Sequence, residues 1–196
     1  MPPFAWPGDP TGVIQAFETR RASPNAGALL IFALHSVDSL YYLLDIDRRD
    51  DLSAPTIGGH APDVVDVAHA RWATGTCVTA LDLCAAGLGR ALCGYRKTRE
   101  LDLVELSRPD HPWRQQLPAS AAAWVDSSLA DPRYCQIIRV RHALTHSRIT
   151  RHFAMTRQRL RLGQPRDQIG VPELVDLARE VATERVVELL NDLPNL

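Results

Sequence analysis

The sequence predicts an all-α fold: a bundle of four to six helices, with a short β-hairpin or an irregular arm near residues 149–162. Three observations carry this. Apolar residues recur at helical spacing through several long stretches. Proline and glycine cluster between those stretches. Partial alternation of β-branched and apolar residues is confined to "ITRHFAMTRQRLRLG". At 196 residues the chain suits one domain with a sizeable core, here 25–196, preceded by an extension over 1–24.

That extension is rich in proline and small polar residues and reads as a segment that wraps the surface or is partly disordered. A helix starts near Asn25, with Leu29, Phe32, Leu40, Leu43 and Leu44 on broad apolar faces. "DRRDDLSAPTIGGHAP" reads as a loop broken by Pro55, Gly58, Gly59 and Pro62. Pro62 suits the first turn of a long helix, Asp63 and Asp66 complement its dipole, and Gly94 suits its end. The interior of that helix is rich in Ala, Gly and Cys, which places it centrally, where small residues permit close approach. Its length also suits a dimer interface. "RPDHPWRQQLP" reads as a loop, Ser120 as the cap of a short helix, and Asp131-Pro132 as its end. A helix from about Arg133 and a final helix, with Leu174, Leu177, Val181, Val186 and Leu189 near one stripe, complete the bundle.

Apolar and charged contents of 45% and 23% are those of an ordinary soluble protein. No uninterrupted apolar run reaches the ~18 residues of a membrane span. The start "MPPFAWPGDP" lacks a basic region followed by an apolar stretch, so no secretory signal is expected. Cys77, Cys84, Cys93 and Cys135 form no CxxC pair; buried thiols, no metal and a cytoplasmic location are expected. No P-loop, GxGxxG, HExxH or GxSxG pattern is present, and no cofactor is expected.

The net charge of −1 hides an asymmetry. Arg133, Arg139, Arg141, Arg148, Arg151, Arg157, Arg159, Arg161 and Arg166 fall in one window without Asp or Glu. The remaining 13 bases face all 23 acids, a formal −10. Such a segregated field attracts an anionic partner, and RNA is the expected one. The alternative is a solvated arginine face balanced by acids elsewhere in the fold.

Within this window lies "RVRHALTHSR", residues 139–148. At about 100° per residue, Ile137, Val140 and Leu144 form an apolar stripe. Arg139, His142 and His146 form a second stripe opposite, and Arg141 lies beside the apolar one. Metal-independent RNA cleavage needs a base for the 2′-OH, an acid for the leaving 5′-oxygen and a cation for the phosphorane. Histidine, with a reference pKa near 6.5, supplies either proton role. Arginine stays charged and makes forked contacts to phosphate. These residue types point to His146 for proton transfer, Arg141 for the phosphate and His142 as assistant. Arg139, Arg148, Arg151, His152, Arg157, Arg159 and Arg161 extend the RNA-binding face. Arg141 and His146 diverge by about 140° on a regular helix, so convergence needs a helix end near Ser147 or a second copy of the chain. His35 and His69 are expected as core histidines, and Asp82 as a dipole partner or counter-ion.

The string Arg141-His142-Ala143-Leu144-Thr145-His146 resembles the Arg-x(4–6)-His motif of HEPN domains, the higher eukaryote and prokaryote nucleotide-binding superfamily. A polar residue after the Arg, here His142, is similar to the family pattern. So are the apolar Ala143 and Leu144, and Ser147-Arg148 after the His. The match covers about a dozen residues. It implies a helical homodimer in which two motifs form a metal-independent endoribonuclease site. It also implies a toxin or antiphage defence role with a possible antitoxin or defence partner protein. Two rivals stand beside it: a non-catalytic RNA or nucleotide binder, and a helical module whose arginines meet an acidic protein partner.

Overall fold

A computed structural model of the chain describes residues 4–23, 25–49, 62–94, 101–145, 154–155, 160–162 and 169–196. Seven α-helices lie among them: α1 (Pro10–Arg21), α2 (Ala26–Arg49), α3 (Pro62–Cys93), α4 (Leu103–Ser107), α5 (Ala119–Ala130), α6 (Pro132–Thr145) and α7 (Val171–Asp192). The architecture is an all-α bundle. Three short strands, β1 (Ala154–Met155), β2 (Leu160–Leu162) and β3 (Ile169–Gly170), form an antiparallel sheet in that order. Ala154 pairs with Arg161, and Arg161 with Gly170, so the expected hairpin gains a third strand leading into α7.

Helix α3 is the centre of the bundle, packed on α2, α6 and α7. Its buried residues are mostly small, among them Ala70, Ala73, Cys77, Ala80, Cys84 and Ala85, which is why neighbours can approach from several sides. A Cβ on Gly89 would come within 2.7 Å of Leu101, and one on Gly87 within 3.0 Å of Leu30. Helices α2 and α3 run antiparallel, as the pairing of Ser39 with Trp72 and of Leu30 with Gly87 requires. Helix α7 buries Leu174, Val181, Val186 and Leu189 as its stripe predicts, while Leu177 is half-buried. Fully burying each such side chain contributes about 1.5–3 kcal/mol.

Helix ends follow their local chemistry. Gly94 takes φ +65° after α3, the left-handed conformation a helix stop favours. Glu173 Oε2 accepts from Gly170 N at 2.9 Å and so restrains the first turn of α7. Residues 10–21, expected as part of a surface wrap, form α1, with Asp9 capping Gly12 N at 2.9 Å and Pro10 in the first turn. Ile14 and Phe17 of α1 enter the main core. Phe4 does wrap the surface, stacking on Tyr41 with ring centroids 4.9 Å apart.

Several expectations are corrected. Ser120 does not cap α5: the cap position is Pro118, without a side-chain hydrogen bond. A short α4 lies ahead of the 109–118 loop, its N-terminus capped by Asp102 accepting from Glu105 N at 2.6 Å. Phe32 and His35 are exposed, because both project from the side of α2 opposite its buried Leu30, Ala33, Leu34 and Val37. His69 is buried and engaged with another group. Cys77, Cys84 and Cys93 are buried, but Cys135 is exposed, since its α6 neighbours Tyr134 and Ile137 take the core side.

The segments Ala26–Ile46 and Val65–Cys93 are long and apolar enough to cross a membrane on length and composition alone. Counting only unbroken apolar runs overlooks them, because Asp38, Asp66, Arg71 and Asp82 interrupt the sequence without lowering the average much. In the bundle these two helices supply much of the core, from Leu30 to Leu44 and from Ala70 to Leu88.

Candidate nucleic-acid interface at the end of helix α6

Helix α6 begins at a double-duty junction. Asp131 closes α5 and its Oδ1 accepts from Arg133 N at 2.8 Å, while Pro132 occupies the first turn of α6. The Asp131 carboxylate is 3% exposed and also accepts from Arg133 Nη2 and Arg185 Nη2, each at 2.9 Å. Arg133 continues to Glu184 at 2.6 Å. Burial alone would raise the Asp131 pKa; hydrogen bonds from Arg133 and Arg185 outweigh it and hold the carboxyl well below its ordinary range. Arg133 is therefore a structural arginine, neutralised by acids within the fold.

From there the periodicity carries α6 along the core. Ile137, Val140 and Leu144 are buried, and Arg139 and His142 are exposed on the other side, each engaged with another group. Arg141 is exposed at the edge of the buried stripe. It lines a cleft of about 380 Å³ with Arg71, Thr74 and Gly75 of α3 and with Leu144 and Thr145 of α6. Two guanidinium groups thus border one concavity, and no carboxylate among the described residues forms an ion pair with either.

Three details shape this cleft. Arg71 Nη2 donates to the Leu144 carbonyl at 3.1 Å, which ties α3 to the last turn of α6. That carbonyl end of a helix is its negative pole and would repel an anion; two fixed cations reverse the local sign. Thr74 and Thr145 direct their hydroxyls back to the Ala70 and Arg141 carbonyls, both at 2.8 Å, so they act as walls. A Cβ on Gly75 would meet nothing within 4 Å, so the missing side chain leaves open space at the floor.

Behind the cleft, burial raises the Asp82 pKa; the Leu103 N–H opposes the shift, the nearby Asp102 charge adds to it, and Arg141 opposes it. The Tyr134 phenol is pushed up in the same way, first by burial and then by Asp82. Asp82, expected as a dipole partner or counter-ion, accepts from Leu103 N at 3.0 Å at the start of α4, and Arg141 makes only a minor contribution to its electrostatics. Burial favours the protonated form of the α3 thiols, pushing Cys77 up to about 12 and Cys93 up to about 11.

Of the residues expected at the site, Arg141 is placed in the cleft, whereas His142 and Arg139 lie on other faces of α6. His146, Arg148, Arg151, His152, Arg157 and Arg159 lie outside the described residues. Arg161 is placed in β2 by its backbone pairing. The sequence reading missed Arg71. Its signal was present: it is the one Lys or Arg of α3 before Arg90, set four residues ahead of Gly75. Among the described residues no three His, Cys, Asp or Glu side chains group to hold a metal. No family model, curated protein or solved structure matches this chain.

Proposed function

We propose that the chain is a cytoplasmic, metal-independent endoribonuclease of the HEPN type, with Arg141 and Arg71 clamping the scissile phosphate and His146 transferring protons. One observation carries the reading: two exposed arginines from different helices border one cleft at the end of α6, next in the chain to His146. Two guanidiniums match the two non-bridging oxygens of a phosphodiester and favour the extra negative charge of the phosphorane.

The reaction is an internal transfer. A histidine imidazole takes the 2′-OH proton, the 2′-oxygen attacks phosphorus, and the bond to the 5′-oxygen breaks. A second proton donor, His142 or a second copy's His146, protonates that leaving oxygen. The products are a 2′,3′-cyclic phosphate and a 5′-hydroxyl. Because Arg141 and His146 diverge on a regular helix, two copies of the chain would complete the site as a homodimer. Such an activity suits a toxin or defence component held in check by a partner protein.

The test is cleavage of single-stranded RNA with EDTA present. Wild type is expected to cut and His146→Ala to lose at least about 100-fold in rate. Full activity in His146→Ala, or loss of wild-type cutting under EDTA, overturns the reading. Salt-sensitive binding without cutting would replace it with a non-catalytic RNA binder.

A further inference from the structure

On the other side of Arg71 a second groove opens between α2 and α3, of about 520 Å³, within the usual size of small-ligand sites. It shares Arg71 and Gly75 with the arginine cleft, so the two adjoin at these residues. Its character is different. Phe32, His35 and Trp72 supply rings, and Ser39, Thr76 and Thr79 supply hydroxyls. Phe32 is 57% exposed and Trp72 39%, so ring surface of both faces outward. Trp72 Nε1 donates to Ser39 Oγ at 3.1 Å, which pins the indole across the two helices. Phe32 and His35 meet edge to face at 6.1 Å. Tyr42 extends the row, 6.4 Å from Trp72 and 61% exposed.

Large exposed rings held in place and adjoining two guanidiniums have one natural complement. A nucleotide has a charged phosphate and an apolar, flat base on one unit, and every base has a π-face. We propose that the α2–α3 groove is a base-stacking subsite for single-stranded RNA, with Trp72 and Phe32 as platforms and Arg71 as the hinge to the phosphate cleft. This rests on the phosphate reading of the Arg71–Arg141 cleft and extends it. The groove favours unpaired RNA over a duplex, because bases inside a helix cannot splay onto side-chain rings.

The test uses the full chain and two oligomers of about 12 nucleotides: a 2′-O-methyl single strand, which cannot be cut through its 2′-oxygen, and its abasic ribose-phosphate counterpart. Wild type should bind the base-bearing strand roughly tenfold or more tightly over the abasic one. Trp72→Ala and Phe32→Ala should each remove most of that preference. Trp72→Phe should keep it while abolishing fluorescence quenching from position 72, and far-UV circular dichroism checks the fold of every variant. Equal binding of both oligomers, lowered only by Arg71→Ala and Arg141→Ala, overturns the stacking groove and leaves the phosphate cleft standing. If neither oligomer binds, both readings fall. If the ring variants turn a dimer into a monomer in sedimentation without changing base preference, the groove belongs to a second copy of the chain and the proposal is overturned.

Discussion

The two ends of α6 use the same residue type in opposite ways. At its start, Arg133 meets the buried Asp131 carboxylate and Glu184, and Arg185 closes the network from α7. At its end, Arg141 and Arg71 border an open cleft, with no carboxylate among the described residues paired to either. Arginine at the first end is neutralised by acids; at the second it keeps an exposed charge, although Arg71 also ties α3 to α6 through the Leu144 carbonyl. The difference is set by where the acids fall: Asp131 precedes Pro132 as a cap, and Glu184 faces it from α7, whereas Asp82 of α3 is taken up by Leu103 N.

The strongest break to this contrast is Asp131→Ala. Removing the buried carboxylate lifts the cap from α6 and takes one partner each from Arg133 and Arg185, which keep Glu184 and Glu188, and urea unfolding should show a loss of about 2–4 kcal/mol. RNA affinity of the folded fraction should not change. The pH dependence sharpens the point. Asp131 has its folded pKa depressed below the unfolded value of about 3.9, so its stabilisation is fully present above roughly pH 5. It is lost as pH falls through and below that unfolded value. An Asp131→Asn variant should therefore lose stability less steeply between roughly pH 5 and pH 2.

At the other end the double variant Arg71→Ala, Arg141→Ala should weaken RNA binding by about 10–100-fold, measured by fluorescence anisotropy. Its unfolding free energy should fall by no more than about 2 kcal/mol, chiefly from the lost Arg71–Leu144 hydrogen bond. A smaller effect separates the glycines of α3. Gly75→Ala meets no neighbour and should stabilise by about 0.5–1 kcal/mol, the helical advantage of alanine. Gly89→Ala pushes against Leu101 in the core and should destabilise instead. Gly75→Phe should leave thermal stability near wild type yet occlude the floor shared by cleft and groove, and so reduce RNA binding.

Much of this fold was legible because it is local. Pro62 and Gly94 mark α3, and the stripe from Leu174 to Leu189 marks α7. Helix α4 escaped because five residues are too few for periodicity, although the Asp102 cap was there to be read. His35 escaped because an apolar stretch does not say which of its faces meets the core; the packing of α3 and α7 on α2 decides that. Arg141 was readable from its motif, while Arg71 lies 70 positions away and joins it only through the crossing of α3 and α6. The ion pair that neutralises Arg133, one of the nine arginines of the acid-free window, was invisible for the same reason, since Glu184 is 51 residues distant.

The most direct test of the contrast is the salt dependence of RNA binding by three single variants. For single-stranded RNA each phosphate contact adds about 0.7 to the slope of log affinity against log salt. Arg71→Ala and Arg141→Ala should each flatten that slope by about this amount, and Arg133→Ala should leave it unchanged. Equal flattening by Arg133→Ala, or none by Arg71→Ala and Arg141→Ala, would contradict the division of α6 into a structural end and an RNA-binding end.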